Sequence, residues 1–263
     1  MDLKIDPAMQ GQPVVVTFAN RDYVHVTRNW LHAIMKVRVK ATIRIIALDQ
    51  ESRDEFPPEH TQYHPFSLDN LSSFWAFRIK ILREILEEAS AIIHSDSDAV
   101  WLKNPLPLID KCKSDMVFSQ GTVWPPDVHV RHGIVLCCGF FYIRRTNDAL
   151  KFLSSLEKRA EVDGDDQVSL NRIVSESGIE WIVGNPYQIP FRDTFFTASH
   201  EIIYSKAGGP ISIAILLHHT VARQIDAIKP CMVVAHPLSD KTGADKKAIL
   251  SNLGLWNLPI SEE

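Results

Sequence analysis

The feature that most limits what this chain can fold into is an alternation. Short, unbroken apolar runs are separated by stretches whose apolar residues recur with a helical period. The first run is Val14, Val15, Val16, Thr17 and Phe18, and a helix is predicted over residues 24–37. Runs at 43–48 and 91–94 enclose the strongest helical pattern, in which Phe74, Phe77, Ile81, Leu82, Ile85 and Leu86 keep one face from Ser73 onward. Further strands are predicted at 116–118, 134–136, 140–143, 181–183 and 232–235. A helix capped by Thr146 or Asn147 runs to about residue 161, and a shorter one covers 167–174. Residues 54–65, with three prolines, read as a loop holding a short strand. This order predicts an α/β fold: a Rossmann-like single domain over residues 1–263 with a mostly parallel central sheet and a flexible segment at 1–12. Pro125-Pro126 and Gly208-Gly209-Pro210 read as loops over a site.

Composition narrows the function classes. Hydrophobic residues make up 45 % and charged residues 23 %, enough apolar surface to exclude disorder as the main state. A formal charge of -4 argues against a nucleic-acid partner. No run reaches the roughly 18 apolar residues of a membrane span. Cys112, Cys137, Cys138 and Cys231 match no zinc spacing, and the first twelve residues lack the apolar centre of a signal peptide. The expected setting is a reducing cytoplasm, or a lumen if the chain is a trimmed part of a longer anchored protein. Neither Gly-x-Gly-x-x-Gly nor a Walker lysine motif occurs, which argues against a dinucleotide oxidoreductase.

The candidate chemistry centres on Asp96-Ser97-Asp98. Among 19 aspartates in 263 residues about one such triplet arises by chance, and two occur, the other being Asp163-Gly164-Asp165. Context separates them. Asp96 directly follows an apolar strand, and ligands of open α/β sheets bind at the carboxyl ends of strands. Two carboxylates there can share one hard divalent cation, Mn²⁺ or Mg²⁺, that leaves positions for phosphate oxygens. A solvated acidic turn is the plain alternative.

The stretch from Ser95 to Pro105 (Ser-Asp-Ser-Asp-Ala-Val-Trp-Leu-Lys-Asn-Pro) resembles the Asp-x-Asp segment of GT-A glycosyltransferases. It is most similar to the nucleotide-diphospho-sugar transferase family that includes plant cell-wall xylosyl- and arabinosyltransferases and protein galactosyltransferases. Further similarities follow in order: Val14 with Asn20 and Asn29-Trp30-Leu31; Gly139-Phe140-Phe141-Tyr142-Ile143-Arg144; Asp165-Asp166-Gln167 with Leu170-Asn171; and His236 with Gly243, Lys246 and Leu253-Gly254-Leu255-Trp256. The resemblance covers residues 13–257. It departs at Cys138, where relatives carry Ser or Asn before the glycine, and after His236, where Pro-Leu replaces the usual Asn-containing sequence.

This resemblance implies a GT-A-type, metal-dependent transferase. It would move a sugar from a UDP-sugar, galactose first and xylose or glucose next, to a hydroxyl of a saccharide, a protein or a small molecule, with retention. Asp96, Asp98 and His236 would hold the metal, which neutralises the diphosphate leaving group. Asp166 would bind the sugar, and Gln167 would stabilise the anomeric centre. Thr17, Ala19, Asn20 and Asp49 would meet the nucleotide at the ends of the first two strands, with Ser97 and Gly139 beside the donor. Gly243 would let backbone approach phosphate, and Lys246 would add a positive charge there. Arg78 or Lys80 would turn inward from the helix before the metal strand. Trp75, Trp101, Trp124 and Trp181 are candidates for sugar stacking or for core packing. Segments 119–133 and 186–212 would form acceptor walls, and His218-His219 remains a weak further site.

Two other classes stay open on sequence alone. A haloacid-dehalogenase-type phosphohydrolase also places Asp-x-Asp after a strand. Its motif closes the first strand of its fold, whereas about ninety residues precede Asp96 here. A catalytically silent sugar-nucleotide-binding module would share the fold without turnover.

Overall fold

The computed structural model describes residues 11–207, 209–239 and 242–258. The segment expected to be flexible, 1–12, lies outside that description except for its last two residues. In chain order the elements are β1 (Val14–Ala19), α1 (Val24–Val37), β2 (Thr42–Ala47), α2 (Gln50–Asp54), β3 (Thr61–Tyr63), α3 (Leu71–Glu88), β4 (Ala91–Ser95) and β5 (Val100–Trp101). Next come α4 (Leu106–Cys112), β6 (Met116–Gln120), α5 (Pro126–His132), β7 (Leu136–Arg144), α6 (Asn147–Asp163), α7 (Asp166–Glu176) and β8 (Trp181–Ile182). The chain closes with β9 (Pro186–Phe191), β10 (Thr194–Ser199), β11 (Ile203–Ser205), β12 (Ile213–Ile215), β13 (Val221–Ala222), β14 (Val234–Ala235) and α8 (Gly243–Asn252).

The expected α/β architecture is present. A nine-stranded sheet runs in the order β3-β2-β1-β4-β7-β6-β12-β11-β8. Its pairings give seven strands one direction and turn β7 and β11 against them. The unbroken apolar runs follow from burial on both faces. Val14 and Val16 pack with Leu82, Leu86, Leu153 and Leu170, from α3, α6 and α7. Val15, between them, packs on the other face with Trp30 and Ile34 of α1 and Ile109 of α4. Each large side chain so buried contributes about 1.5–3 kcal/mol. A small sheet, β13-β14-β5, and the β9–β10 hairpin complete the chain. Among the described residues no helix is long and apolar enough to cross a membrane.

Local chemistry sets the element ends. Asn70, Thr146, Asp165 and Thr242 each cap a helix by accepting a backbone N–H with the side-chain oxygen. Gly164, at φ 67°, ends α6 in the left-handed region and hands the chain to the cap of α7 one residue later. Two expectations are corrected. The runs at 134–136 and 140–143 are not two strands: β7 is continuous from Leu136, which pairs with β6, to Arg144, which pairs with β4, and Ile134 and Val135 precede it. Within it, at Cys137-Cys138-Gly139, β7 slips register against β6, leaving residues 138–140 without counterparts between Cys137↔Ser119 and Phe141↔Phe118. Pro125-Pro126 opens helix α5 and is not a plain loop, since proline is tolerated in a first turn.

One polar node fixes the end of β4. The indole N–H groups of Trp30 and Trp101 donate to Ser95 Oγ at 2.9 and 3.1 Å, and that hydroxyl donates to the Asp96 carbonyl at 3.3 Å. All three side chains are buried, so the single donor and both lone pairs of Ser95 are used. Ser95→Ala strands two buried N–H groups and should lower the unfolding free energy by about 2–4 kcal/mol in chemical denaturation. A change under about 0.5 kcal/mol would contradict this node.

Candidate active site

The carboxyl ends of β1 and β4 and the start of β7 open onto a cleft of about 510 Å³. That size falls in the range of small-molecule sites. Antiparallel pairing sets Phe140 against Ser95, and Asp96 N–H then donates to the Gly139 carbonyl at 2.7 Å. This bond aims the turn carrying Asp96, Ser97 and Asp98 at the cleft floor. The β14–β5 pairing, Ala235 against Val100, brings His236 to the same place.

Asp96, Asp98 and His236 each offer one ligand atom, and these lie within 4.8 Å of one another. His236 Nε2 is 3.3 Å from Asp98 Oδ1 and 3.7 Å from Asp96 Oδ2. Two carboxylates and one imidazole suit Mn²⁺ or Mg²⁺. A cradle supports the same reading. A Cβ placed on Gly139 would stand 2.0 Å from His236 Cε1 and 2.7 Å from Asp96 Oδ2, so only glycine leaves room for both.

Cations balance these acids. Buried Arg78 donates from Nη1 to Asp96 Oδ1 at 3.1 Å and from Nε to Asp166 Oδ2 at 2.8 Å, with Nη2 also on Asp166. Burial opposes the guanidinium's charge, yet Asp166 and Asp96 outweigh it and hold the group charged beyond the ordinary arginine range. Burial raises the Asp166 carboxyl to about 6 against the pull of Arg78, so the pair is ionised at neutral pH. Asp96 and Asp98 move the other way. Burial opposes their charge, but His94 and Arg78 for Asp96, and His236 and Lys246 for Asp98, keep both well below the usual carboxylate range. His94, buried two residues before Asp96, lies 3.1 Å from its Oδ1 and stays neutral because burial lowers its pKa. Lys246 Nζ reaches Asp98 Oδ2. For His236, burial and Arg223 oppose protonation while Asp98 and Cys137 favour it, and the balance lies above an ordinary imidazole. Arg223 and His236 also draw the Cys137 thiol down to about 6, against burial.

Most of the residues proposed from sequence meet here. Thr17, Asn20, Arg78, Asp96, Ser97, Asp98, Gly139, Asp166, Gln167, His236 and Lys246 all border the cleft, with Trp75 and Trp124 on its rim. Thr17 Oγ1 is buried without a hydrogen-bond partner. Gln167 is more tied down than its proposed role requires. Its Oε1 accepts from Cys138 N–H at 3.2 Å and its Nε2 donates to the Trp124 carbonyl at 2.9 Å. The acidic run divides its labour: Asp163 pairs with Arg159 and Arg172, Asp165 caps α7, and Asp166 holds Arg78.

Four proposals are corrected. Lys80 lies roughly 200° around α3 from Arg78 at 3.6 residues per turn and borders a separate hollow beside Glu157 and Glu161. Asp49 has both oxygens occupied by backbone N–H groups, of Ser52 at 2.8 Å and Arg21 at 2.8 Å, and caps α2. The Ala19 carbonyl accepts from Leu48 N–H and Ser52 Oγ, joining the same anchor outside the cleft. Gly243 makes room for protein backbone, not phosphate, since a Cβ there would meet the Asp22 carbonyl oxygen at 2.2 Å. Of the expected acceptor walls, Trp124 borders the cleft and the described residues of 186–212 do not; residues 186–199 form the β9–β10 hairpin. Trp101 is core, and His218 is buried against Phe196. Sequence reasoning missed Arg223, His94 and Cys137. For Arg223 the signal lies in parallel strand register: Ala222 pairs with Ala235, so the residues that follow them emerge together.

Two outcomes follow. Arg78→Met leaves the buried Asp166 carboxylate unpaired and Asp96 with only His94 and His236 beside it, and should cost about 3–5 kcal/mol in chemical denaturation, with Arg78→Lys recovering only part. Wild-type stability in Arg78→Met would contradict the bridge. Gly139→Ala should weaken Mn²⁺ binding, read by calorimetry, by roughly tenfold or more through displaced ligands. Unchanged affinity would place the ion elsewhere.

A family model described as nucleotide-diphospho-sugar transferase matches residues 32–224. That stretch holds Arg78, Asp96, Asp98, Gly139, Asp166 and Gln167 and ends before His236 and Lys246, which geometry brings to the same cleft. The beta-arabinofuranosyltransferase RAY1 of Arabidopsis thaliana is 19 % identical over 171 residues, 60 % of this chain but 32 % of its own length. The match therefore spans about a third of that relative. Among solved structures, the galactosyltransferase LgtC in complex with donor and acceptor sugar analogs overlaps 61 % of this chain and 70 % of its own, with a TM-score of 0.45 and 13 % identity.

Proposed function

The chain belongs to the nucleotide-diphospho-sugar transferase family, and on that premise we propose that it is a metal-dependent glycosyltransferase acting as one GT-A-type domain. The observation that carries the proposal is the convergence of Asp96, Asp98 and His236 on one point, with Lys246 beside it and Gly139 leaving room for it. Mn²⁺ or Mg²⁺ held by those three residues would act as a Lewis acid on the diphosphate leaving group.

The remaining roles fall to the chain itself. Lys246 supplies a fixed positive charge on the diphosphate side of the cleft. The nucleoside end lies toward Thr17 and Asn20 at the tip of β1, where the unpartnered Thr17 hydroxyl awaits a polar group. Asp166, locked by Arg78, presents its second oxygen to sugar hydroxyls, and Gln167 keeps one carbonyl lone pair for the anomeric centre. Retention fits the commitments of the neighbouring carboxylates. Asp165 caps α7 and Asp166 grips Arg78, so neither is poised as a covalent nucleophile, and same-face transfer is the reading. The donor is a UDP-sugar, with UDP-galactose first and UDP-xylose or UDP-glucose next; the plant relative adds an arabinofuranosyl donor to the panel. The acceptor is a hydroxyl of a saccharide, protein or small molecule entering past Trp124, which is 54 % exposed at the cleft rim. The setting is a reducing cytoplasm, or a lumen if the chain is part of a longer anchored protein.

The test is release of UDP from this donor panel, with and without Mn²⁺. One donor should be turned over only with metal, and Asp98→Ala should lose about 10³-fold or more of that rate while remaining folded. Hydrolysis of a simple aryl phosphate, or metal-independent turnover, would overturn the reading.

A further inference from the structure

Arg223 stands apart from the other cations of the cleft. Arg78 is matched by Asp96 and Asp166, and Lys246 by Asp98. Among the described residues the Arg223 guanidinium pairs with no carboxylate; its partner is His236, with Nη1 at 2.7 Å from Nδ1 and 2.8 Å from Nε2. A guanidinium can only donate, and it cannot shed its proton. Nearly equidistant from the two ring nitrogens, it lies against the imidazole as a whole and puts a positive charge on the group that a metal would need. A cation loaded onto His236 and Arg223 in its present position repel one another as like charges held on one imidazole.

The root of Arg223 is fixed and its tip is not. Ala222 pairs with Ala235 in the β13–β14 ladder, and the Arg223 carbonyl accepts from Leu238 N–H at 3.1 Å. The long stem beyond can swing without backbone movement, and the planar fork matches phosphate oxygens two at a time. We infer that Arg223 is a mobile diphosphate clamp: it rests on His236 until a divalent cation takes that imidazole, and it then turns onto the diphosphate. The inference rests on the transferase reading and adds an order to it, in which metal binding releases the group that grips the nucleotide. Arg223 is thus a positioning residue that couples the two ligands.

The test is calorimetry on the full chain with MnCl₂ alone, and with UDP at saturating Mn²⁺. Arg223→Met removes the competing charge and keeps a stem, so Mn²⁺ alone should bind about fivefold or more tightly than to wild type. UDP at saturating Mn²⁺ should bind the same variant roughly tenfold or more weakly, for loss of a charge-assisted pair. Arg223→Lys should keep the wild-type Mn²⁺ affinity and recover part of the UDP affinity, a pattern no merely structural role produces. Unchanged or weaker Mn²⁺ binding in Arg223→Met, or unchanged UDP binding, would overturn the inference while leaving the transferase reading intact. A wild-type chain that binds neither Mn²⁺ nor UDP would sink both.

Discussion

A buried guanidinium holds the acidic end of the sheet together. Arg78 reaches from α3 to Asp96 at the tip of β4 and to Asp166 at the start of α7, 18 and 88 residues away in sequence. Without it, two carboxylates would face each other inside a low-dielectric cleft, where repulsion is several times stronger than in water. With it, the cost of burying Asp166 becomes a means of locating α7 against β4. The bridge needs α3 in one rotation only, and the packing of Ile79, Leu82 and Leu86 into the core sets that rotation.

The rest of the site is assembled from strand ends. Ser95, satisfied by two indoles, fixes the turn after β4. The register slip of β7 carries Gly139 under that turn, where the absence of a side chain admits His236. The small sheet delivers His236 and Arg223 together from the other side. Arg78, Asp96 and His236 are thus anchored by elements whose own packing is apolar and buried: α3, β4 and β14. Preorganisation of this kind lets charge develop on a leaving group without rearrangement of the protein.

Much of this was legible in the sequence for identifiable reasons. β1, α1, α3 and β4 announce themselves through local periodicity, and their bounds fall within a few residues of expectation. Asp96 and Asp98 were legible because an apolar strand leads directly to them. Positions set by distant pairing were not. Asp49 and Lys80 looked available because sequence does not reveal the N–H groups that occupy one or the helix face that carries the other. Gly243 suggested a phosphate approach, and only the fold shows the Asp22 carbonyl in that space. Arg223 carries no motif at all, and its neighbour in space is thirteen residues on.

The central claim is that the carboxylates of Asp96 and Asp98, with His236, hold the divalent cation that receives a nucleoside diphosphate. Anomalous scattering from a crystal grown with Mn²⁺ and UDP tests it most directly. The account predicts one strong peak among those three side chains, with the diphosphate oxygens completing its shell. A map with UDP bound and no peak there, or with the ion bound by other residues, would contradict it.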